Sequence, residues 1–108
     1  MIVKKNKRHR YIVFDIHSKD NKIFDIAELN NAIQKQCKKM YNKNCREMGI
    51  KIVKLNGQKG IVRCDHIEKE NTINLLNSIR EVSSTKVEIK TLKTSGTIKT
   101  FKRKKLFN

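Results

Sequence analysis

The sequence lacks the features that mark membrane-spanning, secreted and disulfide-bonded proteins. No apolar run approaches the roughly 20 residues that a helix needs to cross a bilayer, and Met1 to Val3, ahead of the first lysines, do not form a secretory signal. The chain has 3 cysteines, an odd number without a C-x-x-C pair, which argues against a disulfide framework. We therefore expect a cytoplasmic protein without a membrane partner.

Motifs for catalysis and for cofactor binding are also missing. The 4 glycines are too far apart to form a phosphate-binding loop, and neither the aspartates nor the 3 histidines show a pattern that identifies a general base. Cys64 and His66 could join a metal site, but Cys37 falls on an apolar helical stripe, where a free thiol serves as a small hydrophobic group. The sequence thus predicts no catalytic residue, no metal site and no cofactor bound by the protein.

What the chain has in excess is positive charge. Lys and Arg number 26 against 10 Asp and Glu, a net charge of +16 over 108 residues. The first ten residues and the last ten contain five cations each and no acid. Because every phosphate that is neutralised releases counterions, such ends favour a polyanionic partner; solvated tails are the alternative interpretation. The length allows one domain, which we place at 10–98 between a basic N-terminal arm (1–9) and a basic C-terminal arm (99–108).

Hydrophobic periodicity predicts four strands and two helices. Alternating apolar residues indicate strands at 10–18, 50–56, 61–65 and 86–92. Apolar residues at three- and four-residue steps indicate a helix from a capping box at Asp25 and Glu28 to about residues 42–44, and a second over 68–82. This order predicts an α+β fold of the split β-α-β type (ferredoxin-like or RRM-like), a four-stranded antiparallel sheet with both helices on one face.

The other face of that sheet is the first candidate for an interaction surface. Alternation places Tyr11, Val13, Ile61 and Arg63 on this open face. Nucleic-acid readers of this topology stack bases on aromatic residues of the sheet, and Tyr11 is the one aromatic residue available here. The face therefore suits a protein partner as well as it suits RNA.

A second candidate is the small polar segment Ser95 to Lys99 before the C-terminal arm. Its glycine, Gly96, can bring backbone N–H groups close to a phosphate. The alternative interpretation is a turn after the last strand.

Three segments resemble archaeal ribonuclease P protein component 2: Arg10 to Phe14, Gly60 to Cys64, and Lys93 to Lys99 ahead of the basic end. The resemblance implies a subunit of the ribonucleoprotein that cleaves the 5′ leader from precursor tRNA. It implies that the RNA, with Mg²⁺ at its phosphates, carries the chemistry, so that the isolated chain is not catalytic. It also implies binding to the catalytic domain of the ribonuclease P RNA, a 2:2 complex with ribonuclease P protein component 3, and only indirect contact with precursor tRNA.

The charge pattern and the resemblance together predict the site residues. Tyr11, Val13 and Ile61 are predicted to bind the protein partner. The residues predicted to bind RNA are Lys4, Lys5, Lys7, Arg8, Arg10, Arg63, Lys93, Ser95, Gly96, Thr97, Lys99, Lys102, Arg103, Lys104 and Lys105.

Two other functions compete with this one. A general or ribosomal RNA-binding protein would share the charge and need no protein partner. A small enzyme that cleaves acyl phosphates on the same topology would need an arginine-bearing anion loop after its first strand, and residues 17–21 contain neither arginine nor glycine.

Overall fold

The structure is a computed structural model that describes residues 8–96. Its two helices are separated by strands, and none of the helices in this part of the chain is long and apolar enough to cross a bilayer. The elements are β1 (His9–Ser18), α1 (Ile26–Tyr41), β2 (Lys51–Asn56), β3 (Lys59–Asp65), α2 (Lys69–Ser78), β4 (Glu81–Val82) and β5 (Thr85–Ser95), with a single 3₁₀ turn (His66–Glu68) between β3 and α2.

The strands form an antiparallel sheet in the order β2-β3-β1-β5-β4. The central strand β1 pairs with both β3 and β5, as a split β-α-β arrangement requires. The predicted α+β class and antiparallel sheet are confirmed. The sheet has five strands where four were predicted, because the short strand β4 adds to one edge.

Helix α1 begins and ends at residues that stabilise its termini. The Glu28 backbone N–H donates to Asp25 Oδ1 over 2.8 Å, and the Asp25 N–H donates to Glu28 Oε1 over 3.0 Å, which confirms the predicted capping box. At the other end Asn42 adopts a left-handed conformation with φ 55°, a common way to stop a helix.

Both helices pack on the same face of the sheet, as predicted. The sheet contributes Ile12, Phe14, Ile16, Val62, Cys64 and Ile89 to this core, and the helices contribute Leu29, Ile33, Cys37, Leu75 and Leu76. The apolar stripe of α1 is buried only in its middle, since Ile26 and Met40 at its two ends are 49% and 38% exposed.

Helix α2 is shorter than the sequence predicted. It ends at Ser78, whereas the periodicity predicted a helix to Val82, so that prediction is wrong for the last turn. The chain instead makes a tight hairpin in which Val82 pairs with Thr85 across Ser83 and Ser84. These two serines have φ of 49° and 65°, and positive φ at both central residues is the mark of a type I′ hairpin turn.

This turn gives a prediction for stability. Replacing Ser84 by glycine should raise the free energy of unfolding by about 0.5 kcal/mol, because the left-handed conformation costs a residue with a Cβ about 1 kcal/mol or more and glycine much less. A gain of roughly 2–4 °C in Tm is expected for a domain of this size. Asn74→Gly, at an exposed helical position, is the matched control and should lower Tm. A lower Tm for both variants would contradict the turn assignment.

Candidate nucleic-acid interface

The sheet face that points away from the helices is built from rows of side chains that cross the strands. We call it the outer face. The pairing register of β2, β3, β1 and β5 places four residues in each of two adjacent rows, here called the basic rows. The first row is Lys51, Arg63, Tyr11 and Ser95, and the second row is Lys54, Ile61, Val13 and Lys93.

The basic rows contain four cations and no acidic residue. Lys51 and Lys93 are exposed, and neither forms an ion pair within residues 8–96. The acidic residues on the same face lie outside these rows, at Asp15, Asp65 and Glu88. Asp65 and Asp15 lie one row away on either side, so the basic rows themselves carry only positive charge, which is suited to attract an anion.

Arg63 lies at the centre of the first row and has an unused donor. Its Nε is buried and has no hydrogen-bond partner in the described part of the chain. A buried donor left unpaired costs stability, and the planar guanidinium group is shaped to bind two phosphate oxygens at once. Arg63 therefore contributes its charge and a donor without a partner, but because the Nε is buried, a phosphate oxygen could accept from it only if the guanidinium group turned outward.

Tyr11 is the aromatic residue that the outer face offers to a base. It is half-buried and pairs directly with Arg63 on one side and with Ser95 on the other. An aromatic ring beside a guanidinium group is a common arrangement for stacking an unpaired base next to its phosphate. The structure thus brings together three of the predicted site residues that are far apart in the sequence.

Val13 and Ile61 do not lie on the surface, although alternation predicted that the open face would show them. They pair with each other across β1 and β3 and are only 0% and 2% exposed, so the prediction that both are exposed is wrong. Both side chains are short and sit in the middle of the sheet. The longer residues around them in the basic rows, such as Arg63 and Lys93, can cover them with their aliphatic stems.

Arg10 and Gly96 meet at the end of the sheet where β5 finishes. A Cβ on Gly96 would lie 2.7 Å from Arg10 Nη1, so the absence of a side chain at Gly96 leaves room for the guanidinium group. Arg10 pairs with Cys64 and therefore lies on the opposite side of β1 from Tyr11. Its guanidinium group therefore lies at this end of the sheet, next to the backbone of the predicted phosphate-binding segment at Gly96 and not among the side chains of the basic rows.

Some predicted RNA-binding residues fall outside the described residues. Arg8 is described and exposed, and its carbonyl accepts a hydrogen bond from the His66 N–H over 2.8 Å. The residues outside are Lys4, Lys5, Lys7, Thr97, Lys99, Lys102, Arg103, Lys104 and Lys105.

Sequence reasoning missed Lys51 and Lys54 of the first and second rows. The sequence shows their charge but not the register of β2, and that register places Lys51 beside Arg63 and Lys54 beside Ile61.

Two histidines on the sheet lie 3.8 Å from carboxylates, His9 from Asp65 and His17 from Asp15. Within residues 8–96 no three His, Cys, Asp or Glu side chains are placed to hold a metal ion. What the outer face offers to a ligand is charge, hydrogen-bond donors and one aromatic ring.

Comparison with known proteins identifies the family. Residues 10–106 match the sequence model of the Rpp14/Pop5 family. Ribonuclease P protein component 2 of Sulfurisphaera tokodaii is 30% identical over 104 residues, which cover 92% of this chain and 83% of that protein. The protein of the same name from Archaeoglobus fulgidus is 31% identical over 99 residues, which cover 92% of this chain and 89% of that protein.

A solved structure shows the same fold. A chain in the cryo-EM structure of yeast ribonuclease MRP superposes with a TM-score of 0.67 at 13% sequence identity, over 88% of this chain and 79% of that one. At this identity the likeness concerns the fold alone. Because the family model spans most of the sequence and the two relatives match nearly all of it, the chain belongs to the Rpp14/Pop5 family.

Proposed function

We propose that this chain is a protein subunit of ribonuclease P and that it binds the catalytic domain of the ribonuclease P RNA. In that complex the RNA removes the 5′ leader from precursor tRNA. Membership of the Rpp14/Pop5 family and the names of the two relatives support a role in an RNA-containing complex with other protein subunits. The observation that carries the RNA-binding role is the pair of basic rows, four cations without an acidic neighbour in the same rows.

The chain acts by neutralising charge and not by breaking bonds. A folded RNA packs phosphates against one another, and lysine and arginine side chains at those junctions lower the repulsion. Less Mg²⁺ is then needed to hold the active RNA fold. The Mg²⁺ ions are bound by RNA phosphates, and the protein supplies no ligand to them.

The protein partner in this proposal is component 3, in a 2:2 complex in the cytoplasm, with precursor tRNA contacted only through the RNA. Because Val13 and Ile61 are buried, their predicted contacts with a partner would need the outer face to rearrange. Apolar side chains that are already exposed are better suited to such a contact. The three most exposed in the described residues are Ile67 at 85%, Ile23 at 68% and Ile26 at 49%.

Reconstitution at limiting Mg²⁺ tests the proposal. Leader removal by the ribonuclease P RNA is measured over a Mg²⁺ series with and without this chain, and the chain should lower the Mg²⁺ concentration that gives half-maximal cleavage. An unchanged Mg²⁺ requirement would contradict the proposed role. Cleavage by the chain alone, freed of RNA, would contradict the assignment of the chemistry to the RNA.

The C-terminal arm gives a separate prediction that rests on the sequence. Replacing Lys102, Arg103, Lys104 and Lys105 by glutamine should flatten the plot of log affinity for RNA against log salt concentration. The expected change in slope is roughly 0.7–0.9 for each phosphate that the arm no longer neutralises. The measurement is a binding titration at several salt concentrations, and an unchanged slope would remove this arm from the interface.

A further inference from the structure

Three sulfur atoms meet between the end of α1 and the turn that follows it. Cys37 Sγ lies 3.8 Å from Cys45 Sγ and 3.7 Å from Met48 Sδ. All three cysteines of the chain are free thiols. The two thiols are in contact, and a disulfide between them would require the sulfur atoms to approach from 3.8 Å to the bond length of about 2 Å.

The turn that carries Cys45 is held by hydrogen bonds on both sides of that residue. The Asn44 N–H donates to Glu47 Oε1 over 3.2 Å, and the Glu47 N–H donates to Asn44 Oδ1 over 2.9 Å. The Cys45 carbonyl accepts from the Ile50 N–H over 2.9 Å and from the Met48 N–H over 3.2 Å. The contact between the two thiols is therefore set by an ordered turn.

Access to the pair is from the side of Cys45. A surface cavity of about 260 Å³ is lined by Gln34, Asn44, Cys45 and Arg46. Cys45 is 6% exposed, whereas Cys37 behind it is fully buried. Because Cys45 lines this cavity and Cys37 does not, a reagent that enters the cavity meets Cys45 first, with the Cys37 Sγ 3.8 Å from the Cys45 Sγ.

We propose that Cys37 and Cys45 are a modification site, at which exchange with a low-molecular-weight disulfide such as oxidised glutathione forms an intramolecular disulfide. In the first step the Cys45 thiolate attacks one sulfur of the external disulfide and releases one thiolate. In the second step the Cys37 thiolate attacks Cys45 Sγ and releases the other. The two protein thiols lose two protons and two electrons, and the external disulfide is reduced to two thiols.

Burial sets the pH dependence of this exchange. Burial raises the pKa of the Cys45 thiol. Burial also raises the pKa of the Cys37 thiol, to about 12, and the neighbouring Cys45 contributes to that increase. The thiolate is the attacking species, so its fraction is small at neutral pH and increases as the pH rises. The exchange should therefore be slow at pH 7 and faster at pH 9.

The test uses the folded full-length chain and oxidised glutathione. After incubation, free thiols are blocked and the digested protein is analysed by mass spectrometry. The expected product is a disulfide between Cys37 and Cys45 with Cys64 unmodified, since Cys64 is fully buried on the core face of β3. No disulfide at either pH, or modification of Cys64 as fast as that of the pair, would overturn the proposal.

Three variants separate the two steps. Cys37→Ser removes the second thiol and should trap glutathione on Cys45, while Cys45→Ser should abolish both products. Cys64→Ala is the matched control, because it removes a buried thiol of the same core and should leave the disulfide intact. Circular dichroism checks that each variant is folded. Glutathione on Cys37 in the Cys45→Ser variant would show that Cys37 is attacked first and would overturn the proposed order.

Discussion

Replacing Gly60 by alanine is expected to lower the free energy of unfolding by about 1–3 kcal/mol, the usual cost of overpacking a core. Gly60 pairs with Phe14 on the neighbouring strand. A Cβ at this position would lie 2.4 Å from Phe14 Cζ and 3.1 Å from the backbone oxygen of Lys54. Phe14 is fully buried among the core residues, and protein cores are close-packed, so a displaced ring would have to push its neighbours apart. Chemical denaturation measures the change.

A second substitution shows whether the Phe14 ring is the cause. Phe14→Leu removes the ring atoms nearest to Gly60, so the double variant should be more stable than the sum of the two single changes predicts. Gly57→Ala is the control, since nothing lies within 4 Å of its Cβ position and its cost comes from a φ of +63° instead. It should not be rescued by Phe14→Leu. Strictly additive effects of Gly60→Ala and Phe14→Leu would show that the ring is not the obstacle.

Most of the fold could be predicted because local signals agreed with the tertiary structure. The alternation in β1 and β3 correctly identified the face of the sheet that packs against the helices, and the capping box at Asp25 located the start of α1. The end of α2 could not be predicted in the same way. Ile79 and Val82 are buried and spaced as in a helix, but they belong to the chain after it. The Ser-Ser turn lacks the Asn-Gly signature of a type I′ hairpin.

The candidate site could be predicted in its charge but not in its geometry. Arg63 and Tyr11 were placed on the open face by alternation, and the register confirms that they pair. Lys51 and Lys54 could not be added to them, because a register shift between Ile52 and Lys54 decides where these lysines lie. Alternation also gives the face of a side chain but not its exposure. That is why the burial of Val13 was missed.

Removing positive charge from the basic rows is expected to weaken RNA binding more than any other change in the described residues. The triple variant Lys51→Gln, Arg63→Gln and Lys93→Gln should lower the affinity at least about tenfold, since one hydrogen bond between charged groups contributes roughly 1.5–3 kcal/mol. The slope of log affinity against log salt should fall by about 2–3 if each of the three side chains neutralises one phosphate. Binding is measured with the ribonuclease P RNA at several salt concentrations.

The control must separate local contacts from net charge. Lys35, Lys38 and Lys39 are exposed on α1, which packs on the other side of the sheet. Changing these three to glutamine removes the same total charge, yet it leaves the basic rows intact. If the rows contact phosphates directly, this variant should keep most of the affinity and most of the slope. Equal losses in the two triple variants would show that only the overall charge matters, because direct contacts depend on position whereas a screened long-range field does not.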